Sequence, residues 1–322
     1  MLPNFAYVRP GSKQEALDHL GSEGTRIHAG GTDLLGCLRD EVFTADKVVS
    51  ISGLEELEGI VRTTDGGLRI GALTTISEVA ASDEVAASFS GLAQAAQDVA
   101  SPQLRNQGTL GGNLCQRPRC WYFRGEFHCA KKGGDTCYAV EGENRYHAIF
   151  GGDPCYIVHP SDTAPMLVAL GASVKIAGPG GEQTVALEDF FVLPDEELYK
   201  ENVLQPGEMV TEIFVPPPPS GLVSSYRKAR ERGSWDFALA SVALALRMSG
   251  KRVEEARVVL GGVAPKPWRS QAAEAALVGR QLDANTARAA AEAAVADAQP
   301  LAQNGYKVLL VKGIVEESLL AL

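Results

Sequence analysis

The stretch Ile27-His-Ala-Gly-Gly-Thr-Asp-Leu34 follows a short strand-like run, Thr25 to Ala29, and leads into a helical one, Asp33 to Arg39. A strand, a bare loop and a helix in that order form an anion-binding corner. Glycine lets main chain come close to a ligand, and successive N–H groups then point into the turn beside a helix N-terminus. A second such stretch, Thr109-Leu-Gly-Gly-Asn113, lies within Arg105-Asn-Gln-Gly-Thr-Leu-Gly-Gly-Asn-Leu114. Neither loop has the GxGxxG or Walker spacing, so Rossmann and P-loop sites are disfavoured. Gly66-Gly67, Gly180-Gly181 and Gly261-Gly262 read as plain turns.

Directly after the second loop the cysteines crowd together. Cys115, Cys120, Cys129, Cys137 and Cys155 follow one another with C-x4-C-x8-C-x7-C-x17-C spacing, and only Cys37 lies elsewhere. Without a CxxC pair, short zinc-ribbon templates do not fit. Four thiolates suffice for a [4Fe–4S] cluster, and a structural zinc site on the same thiolates is the alternative. Cys37, in Leu34-Leu35-Gly-Cys-Leu38, reads as a small buried hydrophobe. His128 reads as a solvated neighbour of Cys129, and Trp121, Tyr122 and Phe123 as a shield for a cluster or as ordinary packing.

The 322 residues suffice for two or three packed units. A net charge of −10 argues against nucleic acid and reads as solubility. No apolar run is long enough for a membrane span, and the start lacks a signal-peptide pattern. The expected compartment is the cytoplasm, with the periplasm open through co-export with a signal-bearing partner. In a reducing compartment clustered thiols serve as metal ligands rather than disulfides.

Capping boxes are expected at Ser12-Lys-Gln-Glu15 and Thr75-Ile-Ser-Glu78. Hairpins are expected around Asp65-Gly66-Gly67 and Gly178-Pro-Gly-Gly181, and helices at Ser90–Ala100, Asp162–Leu170, 269–279, 285–298 and 305–320. Strands are expected at Lys47–Ile51, Tyr226–Ala229, Phe237–Leu246 and Glu255–Leu260. From Cys115 to about Cys155 the pattern lapses, as in an inserted loop not shaped by a hydrophobic core. The four prolines Pro216–Pro219 form a stiff linker and the expected domain boundary. Strands and helices do not strictly alternate, so the expected class is α+β.

Both glycine stretches in this order, with His159-Pro-Ser-Asp162, Tyr226-Arg-Lys-Ala-Arg230, Asp236 and Val263-Ala-Pro-Lys-Pro-Trp-Arg269, resemble the FAD-binding subunit of the molybdenum hydroxylases, the xanthine dehydrogenase and aldehyde oxidoreductase family. The resemblance spans nearly the whole chain. It implies a two-lobed FAD domain of the p-cresol methylhydroxylase type over residues 1–215, with an iron–sulfur insertion near 115–157. A smaller α+β C-terminal domain would follow over 216–322. By the same resemblance, Ile27, His28, Ala29, Gly30, Gly31, Thr32, Asp33 and Leu34 belong to the loop that wraps the FAD diphosphate. Thr109, Gly112 and Asn113 hold it from the other side. Asp162 accepts from a ribose hydroxyl, and Lys228 lies near the flavin ring.

The cysteine insertion is similar to that of a subset of this family, the bacterial three-subunit aldehyde oxidoreductases and 4-hydroxybenzoyl-CoA reductase. That likeness implies a [4Fe–4S] cluster on Cys120, Cys129, Cys137 and Cys155, with Cys115 outside the ligand set. Gln103-Leu-Arg-Asn-Gln107 and Lys266-Pro-Trp-Arg269 bring the chain nearer to the aldehyde oxidoreductases. The resemblance further implies a large partner subunit carrying the molybdenum cofactor, a small partner carrying [2Fe–2S] clusters, and an external electron acceptor. No catalytic acid–base pair is read or required, because the cofactor carries the hard chemistry. A stand-alone FAD reductase of the same fold and a zinc-bearing scaffold are the competing readings.

Overall fold

A computed structural model describes residues 1–322. The chain is α+β, as expected, and is built around three sheets. The first lobe contains β1 (Ala6–Val8), α1 (Lys13–Leu20), β2 (Thr25–His28), α2 (Leu34–Arg39) and β3 (Lys47–Ser50). Its strands form a parallel sheet in the order β1-β3-β2. Ser12 caps α1 by accepting from the Glu15 N–H, but the Glu15 carboxylate turns back to the Gly11 N–H, one residue before the position expected of a capping box.

The second lobe opens with β4 (Ile60–Arg62), β5 (Leu68–Gly71), α3 (Ile76–Ala81), α4 (Asp83–Ser88), α5 (Ser90–Gln97), α6 (Pro102–Arg105) and α7 (Leu110–Leu114). It continues through α8 (Trp121–Arg124), α9 (Thr163–Ala169), β6 (Ser173–Gly178), β7 (Gly181–Ala186), α10 (Leu187–Phe190) and β8 (Met209–Val215). The strands form one antiparallel sheet, β4-β5-β8-β6-β7. At Thr75 the capping box is complete in both directions. Helix α5 stops at Gln97, short of the expected Ala100, whose φ of 44° no helix accommodates. The second glycine stretch is itself the single turn α7, with Thr109 accepting from the Gly112 N–H at 3.2 Å. Between α7 and α9 the chain forms only α8 and one 3-10 turn, with no strand, as its lack of periodicity suggested.

The prolines lead from β8 into β9 (Leu222–Ala229), β10 (Ala240–Ser249), β11 (Arg252–Gly261), β12 (Trp268–Arg269), α11 (Gln271–Leu277), α12 (Ala284–Ala293) and α13 (Tyr306–Leu320). The third sheet runs β12-β11-β10-β9. Its central strand is apolar on both faces because both are covered. Ala243 and Ala245 face the second-lobe core with Met166, Leu92 and Val259. Val242, Leu244 and Leu246 face the helices of the C-terminal part, with Ala287, Ala290 and Val315. Small residues on one face let α5 and α9 approach closely, and large ones fill the other face.

Candidate functional site

The two glycine stretches meet. A Cβ on Gly30 would lie 1.7 Å from the Gln107 carbonyl oxygen, so only bare main chain passes there, and Gly31 turns through φ 72°. Between them and the loop Trp235–Phe237, which precedes β10, lies a cavity of about 870 Å³. Ile27, Ala29, Gly30, Gly31, Thr32, Asp33 and Leu34 line it from the first lobe, with Thr109, Gly112 and Asn113 from the second. His28 is not in the wall. Its Nδ1 lies 3.3 Å from Ser50 Oγ, behind the loop. Asn113 Oδ1 accepts from the hydroxyls of Ser161 and Thr163, which fixes the amide against the start of α9.

Asp162 also lines the cavity, but both its carboxylate oxygens are engaged. Tyr226 Oη donates to Oδ1 at 2.7 Å, and Lys228 Nζ to Oδ2 at 2.7 Å. Lys228 is fully buried, donates also to the Asp98 carbonyl, and reaches the cavity only through Asp162. Burial pushes the Asp162 carboxyl up, while Lys228 and the tyrosine hydroxyl oppose that.

Several residues in this wall were not singled out from sequence. Ala100 and Trp235 both line the cavity with positive φ, 44° and 56°, and the Trp235 N–H donates to the Ala100 carbonyl. Two non-glycine outliers joined at one wall mark a strained site held by its surroundings. Arg117 and Arg119, from the cysteine segment, also line the cavity, each paired with a carboxylate of the same wall, Glu201 and Asp33. The Arg117-Pro-Arg119 pairing beside a phosphate-type loop was the available signal.

Asp33, at the start of α2, is where the cysteine segment is anchored. Its Oδ1 accepts from Arg124 at 2.7 Å and Arg119 at 2.9 Å, and its Oδ2 from the Arg117 N–H at 2.7 Å. A second anchor is Glu201, which is buried between Arg117 and Lys131, each at 2.7 Å.

Within the segment, Cys120, Cys129, Cys137 and Cys155 line one small cavity with Tyr122, Phe123, Lys131 and His147. Cys115 and Cys37 do not line it: Cys115 borders the large cavity, and Cys37 packs with Val42 and Phe123. No three His, Cys, Asp or Glu side chains converge on a position suited to a single metal ion. Burial pushes the Cys120 thiol up to about 11. Cys137 and Cys155 share a hydrogen bond, which draws Cys137 down and Cys155 up. His128 is exposed, as expected of a solvated loop residue. His147 was overlooked in the sequence: it is buried, and its Nε2 lies 3.2 Å from Cys120 Sγ.

The residues present fit a dinucleotide. The large cavity has the size of a cofactor site, with bare main chain on two sides. Residues 3–218 match the family described as FAD binding domain in molybdopterin dehydrogenase, and residues 224–322 match the CO dehydrogenase flavoprotein C-terminal domain. The chain is 40% identical over 313 residues to the aldehyde oxidoreductase FAD-binding subunit PaoB of Escherichia coli, covering 96% of this chain and 95% of that one. It is 32% identical to the glyceraldehyde dehydrogenase medium chain of Sulfolobus acidocaldarius, over 87% of this chain and 83% of the relative. A solved carbon monoxide dehydrogenase from Hydrogenophaga pseudoflava superposes with a TM-score of 0.79 at 29% identity, covering 98% and 96% of the two chains. The chain therefore belongs to the FAD-binding medium subunits of the molybdenum hydroxylases, a family of oxidoreductases. No helix is long and apolar enough to cross a membrane.

Proposed function

We propose that the chain is the FAD-binding electron-transfer subunit of a molybdenum-containing aldehyde oxidoreductase. It would take electrons from [2Fe–2S] clusters of a small partner subunit and pass them through its flavin to an external acceptor. A large partner would oxidise the aldehyde at molybdenum. The observation that carries this reading is the 40% identity to an aldehyde oxidoreductase FAD-binding subunit along nearly the full length of both chains. FAD, when bound, supplies the two-electron chemistry. This chain's residues bind and orient it. N–H groups of the Ala29–Leu34 loop would hold the diphosphate, with Thr109, Gly112 and Asn113 on its other side. Asp162 would accept from a ribose hydroxyl, and Lys228, paired to Asp162, would lie near the flavin ring. In this reading the FAD domain ends before Pro216.

The same reading includes a [4Fe–4S] cluster on Cys120, Cys129, Cys137 and Cys155. Four thiols around one cavity, with Lys131 beside them and Tyr122 and Phe123 excluding water, suit an anionic cluster. The irons of a cluster stand apart, so its ligands need not converge as they must on one zinc ion.

The test is a visible spectrum with flavin, iron and molybdenum analysis of the complex purified anaerobically. One FAD and about four irons on this chain are expected, with flavin reduction by an aldehyde only when the molybdenum and [2Fe–2S] subunits copurify. A pale chain overturns the reading. Aldehyde or sugar-nucleotide turnover by the isolated chain would favour the stand-alone reductase instead.

A further inference from the structure

The segment Arg145–Ala148 is gripped from the C-terminal part of the chain. Its four consecutive carbonyl oxygens all accept hydrogen bonds from three side chains at the start of α13. Tyr306 Oη donates to Arg145 O at 2.9 Å, and Lys307 Nζ to Tyr146 O at 2.8 Å. Asn304 Nδ2 donates to both His147 O and Ala148 O at 3.1 Å. Asn144 and Gln303 close the grip with a reciprocal pair of hydrogen bonds. Asn304 and Lys307 are wholly buried, so this is a built contact rather than a surface one. The backbone of His147 is fixed by it, and the ring is wedged between Trp121 and Tyr122, with centroids 5.6 and 6.1 Å away.

The fixed ring points one nitrogen at a sulfur. Nε2 is 3.2 Å from Cys120 Sγ, while Nδ1 is buried without a hydrogen-bond partner. A thiolate bound to iron has no proton to donate. With Cys120 ligated, the contact is therefore Nε2–H donating to sulfur, and the bare Nδ1 leaves no N–H unpaired.

We propose that His147 is a positioning residue for the cluster: it donates a hydrogen bond to Cys120 Sγ and raises the cluster's reduction potential, with its aim set by Asn304 and Lys307 of the C-terminal part. This rests on the cluster reading given above. A donor to a ligating sulfur withdraws charge and favours the reduced state. His147 thus becomes the point through which packing of the C-terminal helices bears on the potential of the centre.

The test uses the anaerobically purified complex, with wild type, His147→Phe and His147→Gln compared by iron content and by redox titration followed by electron paramagnetic resonance. His147→Phe keeps a ring and removes the donor, whereas His147→Gln keeps an N–H at a similar reach. The expected result is wild-type iron in all three, a lower cluster potential in His147→Phe, substantial recovery in His147→Gln, and an unmoved flavin potential. An iron-replete His147→Phe protein titrating like wild type overturns this proposal alone. Wild-type protein without iron overturns the cluster reading beneath it. Should the variants not hold iron, wild-type protein carrying 15N-histidine decides the matter. The reduced cluster must show a histidine nitrogen coupling in pulsed spectra, and its absence overturns the proposal.

Discussion

Arg124 Nη2 lies 2.7 Å from Asp33 Oδ1, so the segment that carries the cysteines is tied to the loop that opens the large cavity. Arg119 shares that oxygen, and the Arg117 N–H takes the other. One carboxylate thus holds three positions of a segment otherwise poor in regular structure.

Replacing Asp33 with Ala strands these donors in a partly buried site. The expected cost is about 2–3 kcal/mol, since removing one partner leaves charge unpaired. A lower thermal midpoint should accompany reduced FAD retention on gel filtration. Unchanged retention would show that the anchor does not shape the flavin cavity.

At Gly30 the expected defect is steric. Gly30→Ala places a methyl group against the Gln107 carbonyl, which is main chain and cannot swing aside. The two glycine stretches must separate, and the protein should purify with little FAD, as read from the 450 nm band. Full flavin loading of this variant would contradict the packing described.

Lys228→Met leaves Asp162 buried with only Tyr226 for a partner, at an expected cost of about 3–5 kcal/mol near neutral pH. The Asp162 carboxyl is already pushed up by burial, and losing the cation raises it further. A raised acid binds protons more tightly when folded, so the penalty is present above its folded-state pKa and fades as pH falls through it. Denaturant melts at pH 8 and pH 5 should therefore show a smaller deficit at pH 5, and adding Asp162→Asn should recover part of the loss.

His159 gives the opposite dependence. Burial lowers it to about 4, with Ser161 N–H on its Nδ1 and Phe191 edge-on at 4.7 Å. The unfolded chain binds the proton more tightly, so this residue's contribution is present above about pH 6.5 and is lost as pH falls toward 4. Relative to His159→Phe, wild type should lose about 2 kcal/mol between pH 7 and pH 5. Parallel stability curves for the two proteins would refute this.

The cysteines separate by position. Cys137→Ala should abolish iron binding, while Cys115→Ala, beside the flavin cavity, should leave iron at the wild-type level. Equal iron loss in both variants would remove the present ligand assignment.

Where local chemistry decided the structure, the sequence was readable. The complete Thr75 box and the hairpin at Gly66 each follow from neighbouring residues. The site was legible where bare main chain was required, at Gly30 and Gly31. It was less so where distant residues meet. That Lys228 would be screened by Asp162 depends on a side chain just before α9 reaching one on β9, and no local pattern encodes this. His147 has no spacing that marks it, because Cys120 is brought to it by a fold contact across 27 positions. The strain at Ala100 and Trp235 arises in the same way, from two distant backbones held together.

The grip of α13 on Arg145–Ala148 also orders events during biosynthesis. The thiols leave the ribosome about 150 to 185 residues before Asn304 and Lys307, a delay of roughly ten to forty seconds at ordinary elongation rates. Until the final helix is made, the Arg145–Ala148 carbonyls lack these donors. The aim of His147 at Cys120 is therefore set only once that helix has folded.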